Sequence, residues 1–200
     1  GGIFRQALPA QFPVPGMKQA VRSVVMSERM TGPDEARFRS ELAALLPRLR
    51  RFAMVLTGAP AEADDLTQSA LERALVRQRQ YTPGTRLDSW VFRIAQNLWI
   101  DQLRSRKSRG PHADLDAAAD ETGQKDEDMA DRLDIARTIS RLPQDQRAVV
   151  GLVLVEGWSY QEAAAILETP VGTVMSRLHR ARSRIRDRLH DTGLAPRAAM

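Results

Sequence analysis

Phe38, Leu42, Leu45, Leu49, Phe52 and Leu56 are spaced four, three, four, three and four residues apart. An α-helix turns by about 100° per residue, so this spacing lines six large apolar side chains along one stripe. A strand would scatter them over both faces. Gly58 and Pro60 close the stripe. Leu66, Ala70 and Ala74 then form a second line, with Leu71 and Leu75 beside it. Tyr81-Thr82-Pro83-Gly84-Thr85 has turn chemistry. Residues 87–107 carry a third apolar face, Trp90, Val91, Ile94, Ala95 and Leu98, and run out into Arg104, Arg106, Lys107 and Arg109. No segment alternates with period two between turn signals, so the chain reads as all-α.

Interruptions in this pattern set the organisation. Residues 1–34 hold Pro9, Pro13, Pro15 and Gly16 without a sustained period, and read as a tail. Met17, Met26 and Met30 are each conceivable natural starts. Residues 35–108 form a first helical domain. Residues 109–127 combine Gly110, Pro111 and Gly123 with many Asp residues, too few apolar groups to offset chain entropy, and read as a flexible acidic linker. Helical spacing resumes with Leu133, Ala136 and Ile139. Pro143 marks a new helix start, Val149, Val150, Leu152, Val153 and Val155 follow, and Gly157 is a stop. A second domain of four helices thus spans 128–191, with a tail over 192–200. The expected fold is two small helical domains joined by that linker.

Charge narrows the partners. The net charge is +5 and the isoelectric point near 10.3, which favours polyanions. The charge is unevenly spread: 114–131 is strongly acidic, whereas 177–188 is an arginine ladder interrupted by Asp187. Cysteine is absent, which removes disulfides, thiolate metal sites and cysteine nucleophiles, and fits a reducing cytoplasmic setting. No apolar run reaches the roughly 18 residues of a membrane span, so no membrane insertion is expected.

The C-terminal end carries the most specific local chemistry. Ser159 and Glu162 have capping-box spacing, in which hydroxyl and carboxylate each take a free backbone N–H. Ala163, Ala164 and Ala165 keep the next helix slim enough for another to cross it. Thr169 then reads as an N-cap with Pro170 at the first helical position. The last helix places Val174, Leu178, Ala181, Ile185 and Leu189 on one line and Ser176, Arg177, His179, Arg180, Arg184 and Arg188 on the others. A capped short helix, a tight turn and a longer helix, apolar inside and cationic outside, make a helix-turn-helix. Side chains in the N-terminal half of its second helix reach base edges, and arginines further along meet phosphates.

On the runs Leu142 to Arg147, Glu156 to Ala164 and Pro170 to Arg182, this half resembles the C-terminal domain of an extracytoplasmic-function (ECF) sigma factor of bacterial RNA polymerase. The resemblance implies a region that reads the −35 promoter element and docks on the flap of the polymerase β subunit. Thr173, Ser176, Arg177, His179, Arg180 and Arg184 are then the −35 residues. Met175 stands where many members carry a basic residue. Asp64 to Leu71 is similar to the segment that grips the β′ clamp helices, which implies Asp64, Asp65, Leu66 and Gln68 as core-polymerase contacts; Ser69 replaces the acidic residue usual there. Ser89 to Arg104 resembles the helix that engages the −10 element, and the loop before it captures a flipped base. This implies Tyr81, Arg86, Arg93, Asn97, Arg104 and Lys107 as −10 residues, with Trp90 and Ile94 serving the core. The resemblance spans about 37–190. It implies core RNA polymerase, promoter DNA and an anti-sigma factor as partners, a stress-response setting and no cofactor.

Two other readings compete. A stand-alone helix-turn-helix regulator explains the C-terminal half equally well, but leaves the basic helix of residues 90–109 and its acidic tether without a role. An enzyme has little to stand on. Asp64 and Asp65 point about 100° apart on a helix, and His112, His179 and His190 lack metal-ligand spacing. No Gly-rich phosphate loop or nucleophile elbow is present. No catalytic residue and no metal ligand is therefore expected.

Overall fold

The computed structural model describes residues 33–82, 85–108 and 135–191. The tails and the acidic linker read from the sequence lie mostly outside these residues. Every regular element among the described residues is helical. Helix α1 is Pro33–Thr57, α2 is Pro60–Val76, a single 3-10 turn covers Gln78–Gln80, and α3 is Leu87–Ser108. Residues 135–140 form α4. Helix α5, Gln144–Val149, continues into a π-helical stretch over Val150–Val155, followed by α6, Tyr160–Ile166, and α7, Val171–Asp191. None of the helices is long and apolar enough to cross a membrane.

The α1 stripe behaves as its spacing predicts: Phe38, Leu42, Leu49, Phe52 and Leu56 are buried and Leu45 partly so. The helix runs through Pro47, which cannot donate a backbone hydrogen bond and leaves one turn short of it. Gly58 ends α1 at φ +79°, a left-handed conformation in which a Cβ is strained, while its N–H still closes on Met54 O at 2.9 Å. Pro60 does not share that role. It sits in the first turn of α2, where its missing N–H costs nothing. Leu66, Ala70 and Ala74 of α2 and Val91, Phe92, Ala95 and Trp99 of α3 complete the N-terminal core, with the Phe52 and Phe92 rings 5.1 Å apart.

The C-terminal unit closes around Ile139, Leu142, Val149, Leu152, Ile166, Val174, Leu178, Ala181 and Ile185, all buried. The expected capping box is present: Glu162 N donates to Ser159 Oγ at 3.2 Å, and Ser159 N donates to Glu162 Oε2 at 2.8 Å. The next helix starts differently from expectation. Thr169 is not its N-cap, because the Thr169 N–H turns back to Ala164 O at 3.1 Å. Pro170 instead precedes α7, and its carbonyl accepts from Thr173 N and Val174 N. The cause lies one residue earlier: Glu168, at φ +50°, swings the chain through the left-handed region.

The helix before Gly157 also departs from a plain α-helix. Glu156 N reaches Gly151 O at 3.0 Å, five residues back, which is the widened π pattern. Gly151 is pressed against α1, and a Cβ built there stands 2.8 Å from Phe52 Cδ2 and 3.3 Å from Val55 Cγ1. Only glycine admits that approach. The two units consequently share one continuous core in which Phe52, Val55 and Leu56 belong to the same cluster as Val149, Val150 and Leu152.

Candidate nucleic-acid interface

Helix α7 separates its faces sharply. Val174, Leu178, Ala181 and Ile185 point inward, while Met175, Ser176, His179, Arg180, Arg182 and Arg186 are exposed. Arg180 lies along the helix surface, with Nε 3.3 Å from Ser176 O and Nη2 3.3 Å from Ser176 Oγ. Thr173 is half-buried and its carbonyl takes the Ser176 hydroxyl at 3.0 Å. Two arginines of the sequence-derived set lean elsewhere. Arg177 Nε meets Asp145 Oδ2 of α5 at 3.1 Å, and its side chain is 28% exposed. Arg184 Nη1 lies 3.5 Å from Gln146 Oε1, also on α5. Arg177 thus braces α7 from the side, whereas Arg184, though it leans toward Gln146, stays exposed, so the outward face of α7 carries Ser176, His179, Arg180 and Arg184, with Met175 at its edge, 52% exposed.

Helix α2 presents a second surface. Asp65, Gln68, Glu72 and Val76 fall three, four and four residues apart and are all exposed, with Gln68 Nε2 donating to Glu72 Oε1 at 2.9 Å. Val76, 83% exposed, ends that line and was invisible to sequence reasoning, as was Glu72. Their signal was only their register with Asp65. Two members of the sequence-derived set are not on this surface. Leu66 is fully buried in the core and acts by packing. Asp64 turns sideways onto Arg50, at 2.6 Å from Nε to Oδ1 and 3.4 Å from Nη2 to Oδ2.

The third surface gathers around the start of α3. Tyr81 is not a free platform: its ring packs 5.6 Å from Phe38 and 5.7 Å from Trp90, and its hydroxyl donates to Thr85 O at 2.6 Å. Asn97, Arg104 and Lys107 are exposed on α3, and Arg106 lies over the Trp99 ring at 5.4 Å and bonds Glu62 at 3.1 Å. Arg86 is bonded to Asp88 at 2.9 Å and to Glu162 of the C-terminal unit. Hydrogen bonding to Asp88 raises the Arg86 pKa further above its ordinary value. At Asp88, burial pushes the carboxyl upward, but hydrogen bonds from Arg86, Arg48 and Ser89 N outweigh it and hold the pKa below the usual range. Arg93 also reaches across, 2.7 Å from Ala165 O and 3.3 Å from Glu168.

Sequence reasoning missed the joint between the units. Glu156 is 1% exposed, with Arg48 Nε at 3.0 Å and Arg51 Nε and Nη2 at 3.0 and 3.3 Å. Trp158 is buried beside it, 5.6 Å from Phe92, beneath the guanidinium of Arg86 at 4.3 Å and of Arg48 at 5.5 Å.

Both units match known families in sequence. Sigma-70 region 2 matches residues 42–109 and sigma-70 region 4 matches residues 132–185. The chain is 38% identical over 156 residues to the ECF RNA polymerase sigma factor EcfG of Rhodopseudomonas palustris, covering 78% of this chain and 86% of that relative. The chain belongs to the ECF sigma factors. A second relative, SigW of Bacillus subtilis, is 34% identical over 146 residues, 65% of this chain and 76% of its own length. Among solved structures, the sigma factor RpoE of Bartonella quintana, in complex with the anti-sigma factor NepR, superposes with a TM-score of 0.68. It is 32% identical and covers 77% of this chain and 97% of that one. The chain is thus an alternative-sigma transcription initiation factor, with α1 to α3 as region 2 and α4 to α7 as region 4. The stand-alone regulator leaves the region 2 match unexplained.

Proposed function

We propose that three surfaces divide the work of initiation. Asp65, Gln68, Glu72 and Val76 of α2 dock on the β′ clamp helices, whose partner groups must then be cationic with an apolar end. Arg86, Arg93, Asn97, Arg104 and Lys107 engage the −10 element. Cations around an aromatic floor suit a strand whose bases have left the stack. Tyr81 contributes as that floor, fixed by Phe38 and Trp90. Ser176, His179 and Arg180 read −35 base edges beside Thr173 in the first turn of α7, Arg184 meets phosphate further along, and Arg177 holds α7 at its angle from the side.

The observation that carries this reading is the division of α7, whose inner face is buried while its outer face offers hydroxyl, imidazole and guanidinium groups. Such a face suits major-groove donors and acceptors. The role is binding, with no catalytic step of its own, in the cytoplasm where polymerase resides. An anti-sigma factor of the kind that accompanies the Bartonella relative is the natural controller.

Run-off transcription tests the scheme. With purified core polymerase the chain initiates at a defined set of genomic promoter fragments, and Asp65→Lys abolishes transcript while leaving the helical circular-dichroism signal intact. Transcripts undiminished by Asp65→Lys would remove α2 from the polymerase contact.

A further inference from the structure

Among the described residues two large apolar side chains are exposed, Val76 and Met175. Val76 ends the α2 line proposed to dock on polymerase. Met175, 52% exposed, stands in the N-terminal half of α7, on a face that is otherwise polar. Its place on that face is informative. Ser176, Arg180 and Arg184 rise in steps of four along one flank, the side on which Arg184 leans toward α5. Met175, His179, Arg182 and Arg186 rise in steps of four, three and four along the other, and all four are exposed. At about 100° per residue the two lines lie about 130° apart.

Gly172, one turn before Met175, opens the same flank. A Cβ built there meets nothing within 4 Å, and its φ is not positive. Neither packing nor backbone conformation therefore calls for glycine at this position. A helix turn without a side chain is one that a ligand can approach closely.

A thioether in water gains nothing from its apolar surface until a partner covers it. The floor of the major groove offers such a partner at one kind of base pair, the C5 methyl of thymine. Methionine is flexible and polarisable enough to follow that methyl as the helix settles. The remainder of the line fits the same partner. Arg186 lies about 16 Å along the axis from Met175 at about 1.5 Å per residue, more than the groove width of about 12 Å. With Met175 over the base edges, Arg182 and Arg186 fall at the groove wall, where the phosphates are.

We infer that Met175 is a specificity-determining residue that packs on a thymine methyl of the −35 element, with Arg182 and Arg186 anchoring that flank of α7 to the DNA backbone. The inference rests on the promoter-reading role proposed above. It adds a second line of contacts, apolar at its tip, to the hydrogen-bonding line of Ser176 and Arg180.

Deoxyuridine tests it, because it pairs as thymine does and lacks only the methyl. A promoter transcribed by the wild-type chain with core polymerase is rebuilt with dU for each −35 dT in turn, on either strand. At limiting holoenzyme, wild-type initiation falls about fourfold at one dT or two neighbouring ones, the loss that uncovering one methyl-sized group brings. Met175→Ala transcribes the dT and dU templates alike, and Met175→Leu keeps most of the difference. Both variants retain wild-type circular dichroism, since position 175 is exposed. Wild-type indifference to every dU, with Arg180→Ala still relaxing the −35 preference, would overturn the thymine contact alone. So would a preferred −35 element without an A·T pair. Failure of Met175→Ala to form holoenzyme would overturn it in favour of a contact with polymerase. A wild-type chain with no −35 preference of any kind would instead overturn the promoter reading on which the inference stands.

Discussion

Glu168 is the residue with the least freedom to be what it is. Its φ of +50° is a conformation in which L side chains other than Asn and Asp are uncommon. Its one side-chain partner, Arg93 at 3.3 Å, is an exposed pair and worth little. Glu168→Gly is expected to leave the melting temperature unchanged or raise it, whereas Glu168→Val should lower stability by about 1–2 kcal/mol; thermal melts of the two variants decide this. Ser159 and Glu162 offer a pH-dependent counterpart. Hydrogen bonds from Ser159 N and then from its hydroxyl depress the Glu162 pKa. A group depressed on folding stabilises above its unfolded pKa and loses that contribution as pH falls through the folded value. Asp88 acts in the same direction. Urea midpoints should hold steady from neutrality down to the ordinary carboxylate range and fall below it. Ser159→Ala should cost about 1 kcal/mol at neutral pH and less in acid. A midpoint rising in acid would contradict both assignments.

At the scale of elements, α2 and α7 show what a sequence discloses and what it withholds. Apolar spacing alone located α1, α2, α3 and α7, because a buried stripe repeats every three or four residues whatever it packs against. The capping box was legible for the same reason: both partners lie within one turn. Direction around a helix was less legible. Leu66 and Asp64 stood beside Asp65 in a docking motif, yet one is in the core and the other on Arg50. Leu66→Ala should therefore destabilise by about 2–5 kcal/mol in denaturant titrations. Asp65→Ala should barely change stability while weakening capture of core polymerase. Arg177 illustrates the same limit, since only the fold brings Asp145 within 3.1 Å. The π-helical widening after Val149 had no local signal either. At Gly151 that stretch lies against the Phe52 ring, nearly a hundred positions away in sequence.

For the whole molecule, the sequence disclosed two units but not their embrace. Arg48 and Glu156 are 108 residues apart, and no periodicity encodes such a pair. In the resulting body the cationic face of α7 points outward, while Arg86 and Arg93 of region 2 bond to region 4. Gly151→Ala tests how tight that joint is. A methyl placed 2.8 Å from Phe52 has to displace an aromatic ring already packed on Phe92. It should cost about 1–3 kcal/mol of stability or part the units, seen in a calorimetric scan beside small-angle scattering.

The reading face of α7 carries the central claim, and one measurement addresses it most directly. Core polymerase is supplied with the wild-type chain or with Arg180→Ala and allowed to transcribe a promoter library randomised across the −35 element, and the transcribed sequences are counted. The wild-type chain should show a narrow preference. Arg180→Ala should relax it at one position or two adjacent positions by about 1–3 kcal/mol of discrimination, while the −10 preference stays as it was. An Arg180→Ala profile identical to wild type at every −35 position would show that the outer face of α7 does not read the promoter.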